Sequence, residues 1–327
     1  MADAFLQYGG EKMSDVTSYT AAGNMPWKLL QCNDAVINNK IIPYHIQLIP
    51  TNRCNGNCSW CSCSAVDRTI ELDIEEIINI LEYFTKLGTK AVTITGGGEP
   101  TIHPFISNVI HHAHAMGLSC GIVTNGLLWG KENYNLEDLT KKLTWTRMSI
   151  IDTVGKYDTK RVTNLCKNLS ETGIGISFTV PEDVNVDTAM EICKMADGIP
   201  NLTHIRFVQD LLSLDIKSML LVQDACKGIS DKAIFQWRTT YTNGAKDCYI
   251  AKLKPLIDAT GYIYPCCGVQ YATKETRKLP EQFKMCYWKD FHKTGIFDGQ
   301  ICDVCYYNDY NNLLRGLVKP LKHGEFL

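Results

Sequence analysis

YHIQLIPTNRCNGNCSWC, residues 44–61, sets an alternating, strand-like heptapeptide directly before three cysteines spaced C-x3-C-x2-C. A strand delivering a cysteine loop at its carboxyl end is the arrangement of a parallel α/β sheet, where chemistry gathers at strand ends. The residues that follow keep that rhythm. LDIEEIINILEYFTKLG (72–88) has apolar residues three and four apart and stops at glycine, as a helix does. KAVTITGGGEP (90–100) reads as a strand entering a glycine turn, and HPFISNVIHHAHAMG as a helix. LSCGIVTNG, TWTRMSII, IGISFTV and THIRFVQD supply further strands, and TKRVTNLCKNLSETG and VDTAMEICKMADG further helices. About six strands alternate with helices, which predicts right-handed βαβ units coiled into a partial (β/α)6, TIM-like barrel.

The alternation stops near residue 229. KPLIDATGYIYPCC then reads as a hairpin turning at Asp258 to Gly261, and aromatics and cysteines dominate up to Tyr310. The expected organisation is an arm at 1–43, a barrel at 44–228, and a small cysteine-rich domain of hairpin plus helix at 229–327. The last is too poor in core residues to hold without a staple.

Composition narrows the function. The chain has 327 residues, 45% of them hydrophobic, with a net charge of -2, so no overall charge draws it to nucleic acid. The N-terminus lacks a basic start before an apolar run, and no stretch approaches the roughly 20 apolar residues of a membrane span. The expectation is a soluble, cytoplasmic protein without membrane contact. Fifteen cysteines in a reducing compartment point to metal binding or catalysis rather than disulfides. Cys32, Cys120, Cys166, Cys193 and Cys226 are scattered and read as packing residues. The others form two groups, Cys54, Cys58, Cys61 and Cys63, and then Cys248, Cys266, Cys267, Cys286, Cys302 and Cys305.

Three closely spaced thiolates wrap one face of an iron–sulfur cubane and leave one iron open, and an open metal position belongs to catalysis. Zinc would want a fourth ligand, which Cys63 supplies only awkwardly. With Trp60 before the third cysteine and GGEP after the second strand, the pattern resembles the radical S-adenosylmethionine (radical SAM) superfamily. The resemblance implies a [4Fe–4S] cluster on Cys54, Cys58 and Cys61, whose open iron chelates S-adenosylmethionine. It also implies one-electron cleavage to a 5'-deoxyadenosyl radical that takes hydrogen from a substrate. Gly97 and Gly98 would turn N–H groups to the methionine moiety, Glu99 would accept from its ammonium group, and Trp60 would lie near the adenine. Asn125, Ser149 and Arg206 sit at strand positions where the family places cofactor contacts, and Gln209 beside them can reach cofactor or substrate. The three histidines of HHAHAMG read as a solvated helix face, and Cys63 as a spectator.

Cys248, Cys266, Cys302 and Cys305 form two pairs bracketing the hairpin, a four-ligand set that physical chemistry alone gives to zinc as readily as to iron. C-x12-G-x4-C followed by C-x2-C is similar to the twitch and SPASM extensions of radical SAM enzymes, in the shorter form with one auxiliary [4Fe–4S] cluster. Cys267 and Cys286 are extra, and either can replace one of the four. Cys286 is also a candidate hydrogen donor to a substrate radical. The resemblance implies oxidation or epimerisation of a small polar molecule (sugar, cyclitol or nucleoside-like), with an electron donor such as flavodoxin or ferredoxin. Two alternatives stand beside it: a peptide-modifying maturase, and a non-catalytic zinc-binding adaptor.

Overall fold

In the computed structural model the described residues are 41–129, 136–151, 159–169, 173–210, 213, 215–237, 243–271, 279–303, 305 and 307–318. Residues 1–40 of the expected arm, Cys32 among them, and the last nine residues lie outside them. Strands β1 (His45–Leu48), β2 (Ala91–Ile94), β3 (Ser119–Thr124), β4 (Trp145–Ile150), β5 (Gly173–Val180) and β6 (Leu202–Gln209) pair in sequence order, all parallel. Between them run α1 (Ile74–Lys86), α2 (Ile106–Ala115), α3 (Leu136–Lys142), α4 (Thr159–Asn168) and α5 (Val186–Asp197), and α6 (Ile216–Cys226) follows β6. This is the partial barrel that the alternation predicts.

Helix α1 shows why these segments fold as they do. The Asp73 side chain accepts the Glu76 N–H at 2.7 Å, capping the first turn, and Gly88 at φ 106° ends the helix in a backbone conformation glycine adopts without strain. Ile77, Ile80, Leu81 and Phe84 recur at helical spacing and are buried against the sheet. Each is worth roughly 1.5–3 kcal/mol of burial, and trimming Phe84 to alanine would cost about 3–5 kcal/mol. On the strands, alternate residues such as Ile46, Leu48, Val92, Ile94, Met148 and Ile176 enter this same core. Their neighbours therefore face the barrel lumen. Cys120, Cys166, Cys193 and Cys226 are buried in the core, in keeping with their reading as small hydrophobes. No helix among the described residues is long and apolar enough to cross a membrane.

The sheet runs further than six strands. A seventh parallel strand, β7 (Ala233–Gln236), pairs with β6 and carries the barrel past residue 228. At four residues it is short, and the next helix among the described residues is only the four-residue Ile250–Leu253, so the alternation by which the others are recognised fades here. The expected hairpin forms as β8 (Leu256–Ile257) and β9 (Tyr262–Tyr264), with β10 (Cys286–Tyr287) beside β9. Asp258 holds its turn by accepting from the backbone of Thr260 and Tyr262, and Gly261 takes φ 79°. Strand β8 also pairs in parallel with β1, with Gln47 opposite Leu256 and Leu48 opposite Ile257. One ten-stranded sheet thus runs through both parts of the chain, and the edge of β1 is covered.

Helices α7 (Ile250–Leu253) and α8 (Asn308–Val318) complete the C-terminal part around two small apolar groups, one centred on Tyr249 and Leu314, the other on Leu256 and Phe283. Glu76 of α1 ties this part to the barrel by accepting from Trp288 Nε1 at 2.6 Å and from the Tyr287 hydroxyl. Glu76→Ala leaves both donors without that partner and should destabilise the protein by about 2–3 kcal/mol, read as a lower urea midpoint with unchanged slope.

Candidate functional site

Three segments meet at the carboxyl ends of β1, β2 and β3. The first is the cysteine loop. Successive turns hold it, the Cys61 N–H donating to Cys58 O at 3.1 Å and the Ser64 N–H to Cys61 O at 3.2 Å. Cys54, Cys58 and Cys61 are all partly exposed on this loop, and the Gly56 N–H donates to Cys54 Sγ at 3.4 Å. Burial pushes the Cys54 thiol up, with the Gly56 N–H working against it. Trp60 stands half-buried beside Cys61. Cys63 lies behind the loop, buried, with its thiol facing Gly96 O at 3.9 Å and its pKa pushed up to about 12 by burial.

The second segment is the glycine turn, and close approach explains each glycine. A Cβ on Gly97 would lie 2.2 Å from Asn52 Oδ1, and one on Gly98 2.0 Å from the Arg53 carbonyl oxygen. The Gly98 N–H donates to Thr51 O at 3.2 Å and the Glu99 N–H to Arg53 O at 2.8 Å. The Gly98 amide is therefore spent on seating the turn against the strand that leads to Cys54, not turned to the mouth of the site as the resemblance implied.

The third is the end of β3. Glu99, 3% exposed, is held there by four neutral donors. Its Oε1 accepts from the Thr101 N–H at 3.1 Å and from the hydroxyls of Thr101 and Thr124 at 2.6 Å each, and its Oε2 accepts from the Asn125 N–H at 2.7 Å. Burial raises its pKa, and these bonds oppose the rise. Asn125 then bonds Asn55 Oδ1 at 2.8 Å, closing the ring back to the cysteine loop.

Arg68 is the part that the sequence does not announce. Its Nη1 donates to Asn52 O at 3.1 Å and to Gly97 O at 3.3 Å, and its Nη2 to Cys63 O at 3.2 Å. One guanidinium thus pins the far end of the cysteine loop to the glycine turn. SAVDRT carries no motif, and a fixed five-donor fork is recognised only where three carbonyls converge. Ser149 and Arg206 lie deeper, in one row across β4, β5 and β6 with Ser177 between them. Gln209, at the end of β6, is buried and donates from its carboxamide to Asp215 O at 3.1 Å.

His204 lies in that lumen too. Burial and the neighbouring Arg147 and Arg206 lower its pKa to about 4 from 6.5. A base whose folded pKa is depressed contributes stability that is present above its unfolded value and lost as pH falls toward the folded one. The window here is about 6.5 down to about 4, and the loss about 3 kcal/mol. His204→Gln should flatten that part of the stability–pH curve in urea unfolding series at pH 7 and pH 4.5.

The second group of thiols is a separate site. Cys248, Cys266, Cys302 and Cys305 line one cavity with Gly244, Gly268 and Asn311. The Gly268 N–H donates to Cys266 Sγ at 3.3 Å, and Asn311, wholly buried, donates to Cys248 Sγ at 3.6 Å while its Oδ1 accepts the Ile250 N–H. Burial lifts Cys248 to about 11 and Cys302 to about 12, and a coordinating metal ion would reverse that. Gly244 keeps a wall thin, since a Cβ there would meet Gly299 O at 1.8 Å. Among the described residues no three His, Cys, Asp or Glu side chains converge on a point as a single ion needs, and no disulfide forms. Four thiols around one cavity, two of them met by N–H donors, are a donor set of the kind that holds a metal ion or a sulfur-liganded cluster. The cysteine loop meets the same test differently: Glu99 is a buried carboxylate with neutral donors and no ion pair among the described residues, a setting that favours a nearby cation. Cys267 sits beside the cavity, 3.8 Å from the Tyr307 hydroxyl. Cys286 belongs to neither group. It packs at the edge of the main core, with Lys252, Asp290 and Tyr83 as its charged and titratable neighbours.

A parallel barrel carrying a three-cysteine loop, a glycine turn and a buried glutamate at its carboxyl end defines a cluster-binding α/β class. Residues 48–196 match the family model described as Radical SAM superfamily, and the barrel part of this chain belongs to that superfamily. A S-adenosylmethionine-dependent nucleotide dehydratase of Flammeovirga pacifica is 33% identical over 127 residues, 36% of this chain and 41% of that protein. A GTP 3',8-cyclase of Staphylococcus saprophyticus is 30% identical over 103 residues, 28% of this chain and 30% of that protein. These matches span less than half the length of either relative. The crystal structure of Streptococcus suis SuiB bound to precursor peptide SuiA superposes with a TM-score of 0.57 at 15% identity, covering 90% of this chain and 77% of that one. At that identity the likeness is one of fold.

Proposed function

We propose that this chain is a radical SAM enzyme acting on a small polar substrate of sugar, cyclitol or nucleoside type, with oxidation or epimerisation as the outcome. The observation that carries the reading is the closed ring of Cys loop, glycine turn, Glu99 and Asn125, built on three consecutive parallel strands and locked by Arg68. Cys54, Cys58 and Cys61 would hold a [4Fe–4S] cluster, with Glu99 taking the ammonium of S-adenosylmethionine, Trp60 by the adenine, and Asn125 and Ser149 along the cofactor's path. When bound, the pair supplies a one-electron cleavage whose product removes hydrogen from substrate and leaves as 5'-deoxyadenosine.

The chain's own contribution is position. Glu99 brings a fixed negative charge into a dry setting where it acts strongly on a cation. Arg68 and the Gly97–Gly98 turn hold in place the loop that would carry the cluster. Cys248, Cys266, Cys302 and Cys305 would hold a second [4Fe–4S] cluster, able to accept the electron that a substrate radical gives up on oxidation to product. A small reductant protein such as flavodoxin or ferredoxin would supply electrons. The nucleotide-acting relatives agree with a small polar substrate. The peptide maturase and the zinc adaptor stand as the alternative readings, and the first has a relative in a PqqA peptide cyclase.

Anaerobically purified, iron- and sulfide-loaded protein given S-adenosylmethionine and dithionite should release 5'-deoxyadenosine, and Cys58→Ala should release none. Absence of product from wild-type protein with intact cluster absorbance would refute the enzyme reading. Deuterium passing from a labelled small metabolite, rather than from a peptide, into 5'-deoxyadenosine would identify the substrate class.

A further inference from the structure

Helix α8 buries an asparagine at the second thiol cavity, where a helix ordinarily buries an apolar side chain. Asn311 and Leu314 are its two buried residues, three apart and so on one face, and neither has any exposed surface. Asparagine is a poorer helix former than leucine, and burying its carboxamide is costly unless both ends are bonded. Each end therefore needs an account.

The oxygen end is structural. Helix α7 starts after Tyr249, whose side chain gives no cap, and Asn311 Oδ1 accepts the Ile250 N–H at 3.1 Å instead. Because Ile250 brings an N–H, the group facing it has to be the carboxamide oxygen, which fixes which way round the amide lies. The nitrogen end is thereby turned to Cys248, with Nδ2 donating to Sγ at 3.6 Å. Capping needs only an oxygen, which an aspartate supplies equally. The amide nitrogen against the sulfur is what capping leaves unexplained.

The other donors to this group of thiols belong to the backbone. Cys248 Sγ also takes the Ala251 N–H, Cys266 Sγ the Gly268 N–H at 3.3 Å, and Cys305 Sγ the Tyr307 N–H. Asn311 is thus a donor that a substitution can remove. We propose that Asn311 is a positioning residue of the second metal site, its amide N–H holding the Cys248 thiolate and raising the reduction potential of the cluster bound there. The inference rests on the reading that Cys248, Cys266, Cys302 and Cys305 hold a [4Fe–4S] cluster. A donor at a ligand sulfur offsets the negative charge that builds up on reduction, so the reduced form gains more from it than the oxidised form. The site is thereby made a better acceptor for the electron that a substrate radical gives up.

The test is a redox titration of the full chain carrying Cys54→Ala, Cys58→Ala and Cys61→Ala, so that the second group of thiols alone holds iron. After anaerobic loading with iron and sulfide, the reduced fraction is followed by electron paramagnetic resonance against solution potential. Adding Asn311→Leu, which is close in shape, should make reduction about tenfold less favourable, about 59 mV lower for one electron. Leu314→Ala removes packing from the same helix face and leaves the sulfur bond, so it should lower the unfolding temperature and keep the potential. An unchanged potential in Asn311→Leu, or an equal fall in Leu314→Ala, overturns the proposal. Should Asn311→Leu protein not fold, the parent protein decides. With isotope-labelled nitrogen in its asparagine side chains, the reduced cluster should show coupling to an amide nitrogen in pulsed resonance, and absence of that coupling overturns the proposal. Iron at background in the parent, or zinc in its place, would overturn the second-cluster reading and this inference with it. A bound cluster indifferent to Asn311 overturns this inference alone.

Discussion

Gly98→Ala is expected to strip the first metal site while leaving the barrel folded. The added Cβ would sit 2.0 Å from the Arg53 carbonyl oxygen and 2.5 Å from the carbonyl carbon of Asn52, both backbone atoms. No side-chain rotation relieves such a clash, so the 51–53 segment or the glycine turn has to move. Either movement breaks the Gly98-to-Thr51 and Glu99-to-Arg53 hydrogen bonds, and Arg53 immediately precedes Cys54. Two lost backbone bonds together with overpacking come to roughly 4 kcal/mol, about a thousandfold in any equilibrium that needs the loop in place. Iron bound by the loop and 5'-deoxyadenosine release should fall together to background, while far-ultraviolet circular dichroism stays unchanged. Gly295→Ala, where nothing lies within 4 Å of the new Cβ, is the matched control and should be neutral. Retention of iron and turnover in Gly98→Ala protein would mean that the close approach does not govern the site.

The second large effect is expected in the C-terminal part. Cys302→Ser should halve the iron content of anaerobically loaded protein and lower the unfolding temperature well beyond the few degrees typical of a point change in a chain this size. The reason is core size. The two apolar groups of this part centre on a few residues each, and the thiol cavity lies where they meet, with Cys248 in one and Cys302 in the other. Metal ligation joins what apolar burial alone holds weakly. Iron and sulfide analysis beside a calorimetric scan checks both numbers. Unchanged iron with zinc in equal amount would identify the second site as zinc and remove its part in electron transfer.

Much of this could be read from the chain because the informative patterns are local. The C-x3-C-x2-C loop, GGGEP, and the helical spacing of Ile77, Ile80, Leu81 and Phe84 each lie within one element or one turn, and each predicts its own geometry. The Asp258-to-Gly261 hairpin is legible for the same reason. What escaped is non-local. Strand β7 is four residues long and β8 two, too short for periodicity, and their places depend on partners 28 and 209 residues away in register. Arg68 is one arginine among many until three carbonyls converge on it. The Gly98 amide reads as a ligand donor until the fold shows Thr51 taking it. In the lumen, Trp145 over Gly121 and His204 over Gly175 are cross-strand fits, visible only once register is known.

The splice between β8 and β1 has a practical consequence. The Gln47 and Ile49 N–H groups donate to the carbonyl oxygens of Pro255 and Ile257, and Pro50 leads straight on to the cysteine loop. Were the proposed auxiliary cluster lost from the outlying thiols, loosening of β8 would pass through these bonds to the strand that delivers the cysteine loop, and amide exchange along β1 should quicken with it.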